Sequence, residues 1–218
     1  MKLFIPIKEQ SVRVPRKNFR MFGDLPLYKR CLAKFKQFDV WVDTDSDELE
    51  SLIKEDPALK HVNIIRRKSE LIGNDVSVNL LIQNFIENYC SLDDVVCQIH
   101  VTSPFLTPNT LMKAKWDLEL DFDSICSATV HQSRFWSWTG DNGIDYIPVN
   151  HNPLRLEKTQ DLPKLYEENS AFYIFRVSSF LENKNRISSN HNFQPINYPE
   201  NIDIDTEDDF VSALKYLN

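Results

Sequence analysis

Lys8, Arg13, Arg16 and Lys17 fall within ten positions, directly after a short hydrophobic run, in a chain whose formal net charge is −7. Such a local focus of positive charge suits a polyanion gripped by a few side chains, and it equally suits a solvated surface loop. A second polar group, His100-Val-Thr-Ser-Pro104, also follows an apolar run. Near the end of the chain, Ile202-Asp-Ile-Asp-Thr-Glu-Asp-Asp-Phe210 alternates apolar and acidic residues. An extended backbone there places Asp203 and Asp205 on one face, with Ile202 and Ile204 on the other. Two carboxylates so placed can share one hard cation through oxygen. The same stretch also reads as a solvated helix start, with Thr206 and Asp209 a near-variant of a capping box. A basic loop and a carboxylate pair at one sheet edge imply a nucleoside triphosphate with Mg²⁺, the metal linking phosphate to carboxylate while Lys and Arg hold the remaining charge. No Gly-x-x-x-x-Gly-Lys-Ser/Thr phosphate loop occurs, and nothing favours γ-phosphoryl transfer.

The elements that must position these groups alternate regularly. Strand character is predicted for Lys2–Ile7, Asp39–Val42, Val62–Ile65, Val95–His100, Ser124–Val130 and Ala171–Val177. Helical spacing covers Leu25–Phe35, the stretch from Leu49, Val76–Tyr89, Leu111–Leu120 behind Pro108, and Val211–Leu217. This alternation predicts an α/β fold, a mostly parallel sheet flanked by helices, with ligands outside the carboxyl ends of the strands. The rhythm breaks over residues 131–168, which contain Trp136, Trp138 and a possible hairpin turn at Asp141-Asn-Gly143. That region reads as an inserted lobe or an arm reaching a neighbouring subunit, its aromatics serving an interface or a local core.

Composition narrows the classes further. With 42% hydrophobic residues and four glycines in 218, the chain has the makings of one ordered core. The acidic balance argues against a general nucleic-acid binder. Cys31, Cys90, Cys97 and Cys126 are too dispersed for a zinc knuckle and read as reduced thiols. Residues 2–7 are too short for a signal peptide and no run approaches membrane-spanning length, so a soluble cytoplasmic protein is expected.

An ordered set of motifs adds to this reading. Ser11-x-Arg13-Val-Pro-Arg-Lys-Asn18, Phe22-Gly-x-x-Pro-Leu27, Val42-x-Thr44-Asp45-Ser-x-Glu48 and Arg67-x-x-Glu-Leu71 occur in the first third. His100-x-Thr102-Ser-Pro104, Gln160-Asp-Leu-Pro163, Asn169-x-Ala-x-Tyr-Ile-Phe175 and Ile202-Asp-Ile-Asp-Thr-Glu-x-Asp-Phe210 follow. The set resembles the acylneuraminate cytidylyltransferase family and its relatives that activate 3-deoxy-octulosonate, over nearly the whole chain. The Gln-Asp-Leu-Pro and Asn-x-Ala-x-Tyr-Ile stretches favour the nonulosonate branch.

The resemblance implies a nucleotide-diphospho-sugar transferase-like, Rossmann-like fold, a homodimer whose arm (about 131–168) completes the partner's sugar site, and transfer of CMP from CTP to a sugar acid with Mg²⁺. It assigns Lys8, Ser11, Arg13, Lys17, Asn18, Arg67, Thr102 and Ser103 to the nucleotide. Asp203 and Asp205 go to the metal, with Lys17 beside them in catalysis. His100, Arg155, Lys158, Gln160, Phe172 and Tyr173 go to the sugar, Arg155 or Lys158 taking its carboxylate. Activation of another sugar acid such as a 3-deoxy-octulosonate, or a catalytically impaired nucleotide-sugar-binding homologue, is the alternative. The chain departs from the family pattern at Glu9-Gln10, where a small pair is usual, and at Val12, Asn74, His100, Lys158-Thr159 and Ser170.

Overall fold

Alternation along Lys2–Ile7 (β1) sends Leu3, Ile5 and Ile7 into one buried cluster and Phe4 into another on the opposite face. A strand buried on both faces needs helices on both faces, and the computed structural model, which describes residues 1–11, 13–140 and 145–217, has them. After β1 come the paired β2 (Met21–Phe22) and β3 (Leu25–Pro26), α1 (Leu27–Leu32), β4 (Asp39–Thr44), α2 (Asp47–Glu55) and β5 (Val62–Arg66). Next are α3 (Val78–Tyr89), β6 (Val95–Ile99), α4 (Pro108–Asp121), β7 (Ser124–His131), β8 (Trp136–Trp138) and β9 (Tyr146–Pro148). The chain closes with β10 (Leu165–Arg176), α5 (Val177–Asn183), β11 (His191–Pro195) and α6 (Glu207–Leu214).

Seven strands form one sheet in the order β11-β7-β10-β6-β1-β4-β5. All neighbouring pairs are parallel except those made by β10, which runs antiparallel to both β6 and β7. One face is covered by α1, α2, α4 and α6 through residues such as Leu27, Leu49, Leu111 and Phe210. The other is covered by α3 and α5 through Leu81, Ile82, Phe85 and Phe180. The carboxyl ends of β1, β4, β5 and β6 therefore open on one edge.

Several boundaries differ from the sequence expectation for local reasons. The first helix starts at Leu27, because Leu25 and Pro26 pair with Phe22 and Met21. The last starts at Glu207, because Thr206 and Asp209 make a reciprocal capping box. Strand β10 begins at Leu165, pairing Leu165 with His131 and Glu168 with Ala128, so the root of the arm continues the main sheet. Elements α5 and β11 carry too little periodicity to have been foreseen. Within the arm β8 pairs antiparallel with β9. The expected turn at Asp141-Asn-Gly143 lies outside the described residues. The arm's Trp138 is 60% exposed and Leu156 99%. All four cysteines are free.

Candidate active site

The basic loop leaves β1 and returns over the sheet edge, ending in a short 3-10 turn at Lys17–Phe19. Asn18, buried, ties the two ends of the loop by donating from Nδ2 to the Lys8 carbonyl at 2.9 Å. Lys8 Nζ reaches the Gly73 carbonyl at 3.0 Å, and the Glu9 N–H donates to Asp45 Oδ1 at 2.8 Å. The loop is thus anchored to the residue after β4 and to the segment between β5 and α3. It walls a cavity of about 410 Å³ lined by Lys8, Ser11, Arg13, Lys17, Asn18 and Arg67, with His100 and Thr102 across from them. Gln10 and Asn74 line it too, whereas Glu9 does not. Val12 lies outside the described residues.

A second lobe of about 390 Å³ shares Arg13, Lys17, His100 and Thr102 with the first and adds Ser170, Arg186, Asp203 and Asp205. The acidic segment is not part of the sheet. It is an extended strip held by the Ile204 N–H donating to the Thr102 carbonyl at 2.9 Å. The expected alternation holds nonetheless: Ile204 is fully buried in the core while Asp203 and Asp205 line the lobe. Arg13 Nη2 lies 2.9 Å from Asp205 Oδ1 and Lys17 Nζ 3.6 Å from the same oxygen. Lys17 Nζ also donates to the Ile204 carbonyl at 2.5 Å. The Lys17 side chain is 12% exposed against 64% for Arg13. Basic loop and acidic strip therefore meet across the cavity mouth.

Two carboxylates here are perturbed. Burial pushes the Asp203 carboxyl above its ordinary range; a hydrogen bond with Thr102 opposes this and the neighbouring Asp205 charge reinforces it. Asp203 Oδ1 is buried and has no hydrogen-bond partner among the described residues. At the end of β4, Asp43 is buried against Arg67, whose Nε lies 2.5 Å from Asp43 Oδ1 and whose Nη2 donates to the Asp43 carbonyl at 3.1 Å. Burial raises the Asp43 carboxyl and the guanidinium opposes it. Arg67 Nη1 and Asp43 Oδ2 are both buried without partners among the described residues, and Arg67 is one of the residues that line the cavity.

The loop after β6 is supported from below. Lys34 Nζ donates to the Pro104 and Leu106 carbonyls at 2.6 and 2.8 Å, and the Ser103 N–H closes a turn on the His100 carbonyl at 3.2 Å. Ser103 is consequently buried and supports the turn, while Thr102 faces the cavity. Burial, and secondarily the Arg186 cation, hold the His100 imidazole down at about 4 from its ordinary 6.5. His100 is therefore neutral at pH 7. Its linkage to stability has a definite sign: the unfolded chain takes up the proton as pH falls through 6.5, and the folded chain refuses it until about 4. Stability from this group is complete above 6.5 and declines between 6.5 and 4, by no more than about 3 kcal/mol. Urea unfolding of His100→Gln across this range is expected to lose that part of the pH dependence. An unchanged slope would remove His100 as its source.

Not every expected site residue comes to the cavity. Phe172 is fully buried in the core on the α1 side of the sheet. Tyr173 is fully buried on the other face, its hydroxyl bonded to Glu168 and, at 3.0 Å, to Ser170 Oγ. Arg155, Lys158 and Gln160 lie on the arm and line neither lobe of their own chain. Ser170 has φ +58°, at the register shift where β10 bulges. Such a conformation is one that glycine adopts at no steric cost and serine does not. Arg186 was missed by sequence reasoning: it sits between α5 and β11 in Asn183-Lys-Asn-Arg-Ile187, with no spacing to distinguish it from other surface cations.

A sequence model of the cytidylyltransferase family matches residues 3–216. The N-acylneuraminate cytidylyltransferase of Oncorhynchus mykiss is 31% identical over 174 residues, which are 76% of this chain and 38% of that protein. The protein of the same name from Streptococcus agalactiae serotype V is 24% identical over 224 residues, 98% of this chain and 52% of its own length. The chain thus spans about half, or less, of the length of these relatives. A solved CMP:2-keto-3-deoxy-manno-octonic acid synthetase complexed with CTP shares the fold, with TM-score 0.64 at 13% identity over 98% of this chain and 96% of that one. The match runs from the first strand into the segment after the last helix, and the chain belongs to the cytidylyltransferase family.

Proposed function

We propose that the chain transfers CMP from CTP to the anomeric 2-hydroxyl of a sialic-acid-like nonulosonic acid and releases pyrophosphate. The observation that carries this reading is the convergence of Arg13 and Lys17 with Asp203 and Asp205 on one cavity. The hydroxyl oxygen gives up its proton to the surrounding water as it bonds to the α-phosphorus, the bond from that phosphorus to the bridging oxygen breaks, and pyrophosphate leaves in line. No side chain becomes covalently attached. Lys8, Ser11, Arg13, Lys17 and Asn18 hold the triphosphate, and Arg67, with Thr102 opposite, faces the nucleoside. Asp205 lies 2.9 Å from Arg13 Nη2 and 3.6 Å from Lys17 Nζ, so these cations are set between a carboxylate and the proposed triphosphate.

Among the described residues no group of three or more His, Cys, Asp or Glu side chains gathers as a metal site. The donor set is two carboxylates, one with a buried oxygen lacking a partner. That suits Mg²⁺, which keeps several waters and takes one or two carboxylates together with substrate phosphates. Asp203 and Asp205 would hold it, and it would neutralise charge on the transferring and leaving oxygens. His100 and Ser170 line the sugar lobe. The exposed aromatics of the arm suit a homodimer in which Arg155, Lys158 and Gln160 reach the partner's sugar. Among the described residues no helix is long and apolar enough to cross a membrane.

Incubation with CTP, Mg²⁺ and a panel of nonulosonic and octulosonic acids, read by pyrophosphate release, tests the reaction. Release with at least one acid is expected, and the preferred acid separates the nonulosonate from the 3-deoxy-octulosonate reading. Silence across the panel despite CTP binding would leave a nucleotide-binding homologue. Lys17→Ala is expected to weaken CTP binding by roughly tenfold to a hundredfold, the range for one charge-assisted contact. An unchanged dissociation constant removes Lys17 from the nucleotide site.

A further inference from the structure

Three cations line the lobe that contains Asp203 and Asp205: Arg13, Lys17 and Arg186. The first two already face Asp205, at 2.9 and 3.6 Å. Arg186 makes no ion pair within 4 Å of a carboxylate among the described residues; it donates to Gln98 Oε1 at 2.6 Å from Nη1, with the Tyr173 hydroxyl and the Glu168 charge nearby. Its guanidinium carbon sits 3.5 Å from the centroid of the Tyr173 ring. Both supports are fully buried, and the Tyr173 hydroxyl is itself held by Glu168 and Ser170. A planar fork stacked on a ring and pinned along one edge is pre-organised, and the remaining N–H donors are free for a second planar partner such as a carboxylate.

Resting on the sugar-acid reading above, we infer that Arg186 anchors the substrate's carboxylate, within the same chain that binds CTP. In a 2-keto sugar acid the carboxylate and the attacking hydroxyl are borne on one carbon. The hydroxyl must lie beside the α-phosphate, and hence beside Asp203 and Asp205. The carboxylate's cation must then line that same lobe, which Arg186 does and the Arg155 and Lys158 of the same chain do not. Arg186 thereby selects for an acid over a neutral sugar and orients the anomeric carbon, leaving the partner's arm to contact the rest of the molecule.

The test is equilibrium binding of N-acetylneuraminate, 3-deoxy-manno-octulosonate and their C1 amides to the full chain, saturated with Mg²⁺ and a non-reacting α,β-methylene analogue of CTP. The wild type is expected to prefer at least one acid over its amide by roughly 30-fold. Arg186→Gln should lose most of that preference by weakening the acid alone, with Arg186→Lys intermediate and affinity for the CTP analogue unchanged in both. The inference is overturned if the wild type does not discriminate acid from amide. It is also overturned if Arg186→Gln weakens acid and amide equally, the signature of a purely structural clamp, or if either variant keeps the full preference. Binding of the CTP analogue with neither acid sinks this inference and spares the nucleotide site. No binding of the analogue at all sinks the cytidylyltransferase reading with it.

Discussion

Asp203→Asn is expected to lower turnover with CTP, Mg²⁺ and the preferred sugar acid by roughly a thousandfold, on the scale of losing one pre-organised electrostatic group, while leaving the folded state at least as stable as before. The two halves of this expectation have one origin. Asp203 carries a carboxylate oxygen that is buried without a partner, beside the like-charged Asp205. Placing charge there costs the fold stability, and a neutral isostere relieves that cost. What the charge provides is affinity for a hard cation and its phosphates. Thermal melting supplies a readout independent of activity: Mg²⁺ with CTP should raise the melting temperature of the wild type more than that of the variant. Retained turnover, or an equal shift in both proteins, would show that Asp203 does not hold the metal.

The largest effect on the fold itself is expected at Arg67. Its side chain and that of Asp43 are essentially inaccessible, at 0% and 1% exposure. Removing one partner of such a pair strands the other as an uncompensated buried charge, which costs about 3–5 kcal/mol. Arg67→Ala should show that loss in urea unfolding at pH 7, and it should be smaller at acid pH, where protonation neutralises Asp43. The sign follows from the raised Asp43 carboxyl, which burial already pushes up and which loses its opposing cation in the variant. Replacing both residues with apolar ones, Arg67→Met with Asp43→Val, should recover much of the stability but not CTP binding. A single-variant cost below about 1 kcal/mol would place the pair in the range of solvated surface ion pairs.

Short-range chemistry was legible from the chain alone. Alternation in Lys2–Ile7 defines β1 because side chains two apart share a face whatever lies elsewhere, and Thr107-Pro108 starts α4 because cap and first turn are local. The ordered motifs likewise brought Lys8, Arg13, Lys17, Asn18 and Arg67 together, since residues following the carboxyl ends of parallel strands are carried to one edge by the topology itself, whereas Asp203 and Asp205 join them through the strip that Ile204 ties to Thr102. The reach of β10 was not legible: Leu165–Glu168 is polar and exposed in part, and it is a strand only because β7 extends to meet it.

What only the tertiary structure decided concerns burial and long-range pairing. The same tripeptide, Ala171-Phe-Tyr173, sends Phe172 into one core cluster and Tyr173 into the other, so that only the face bearing Tyr173 supports a cavity residue. Arg186 comes to Asp203 and Asp205 through packing of a loop against Gln98 and Tyr173, which are 88 and 13 positions distant in the chain. No period or spacing encodes such a contact, because its energy is set by what the folded sheet leaves unpaired. The sequence by itself determined the family, the sheet and the cations that gather at the cavity. The cation left for a substrate acid emerged only once the fold had paired the others.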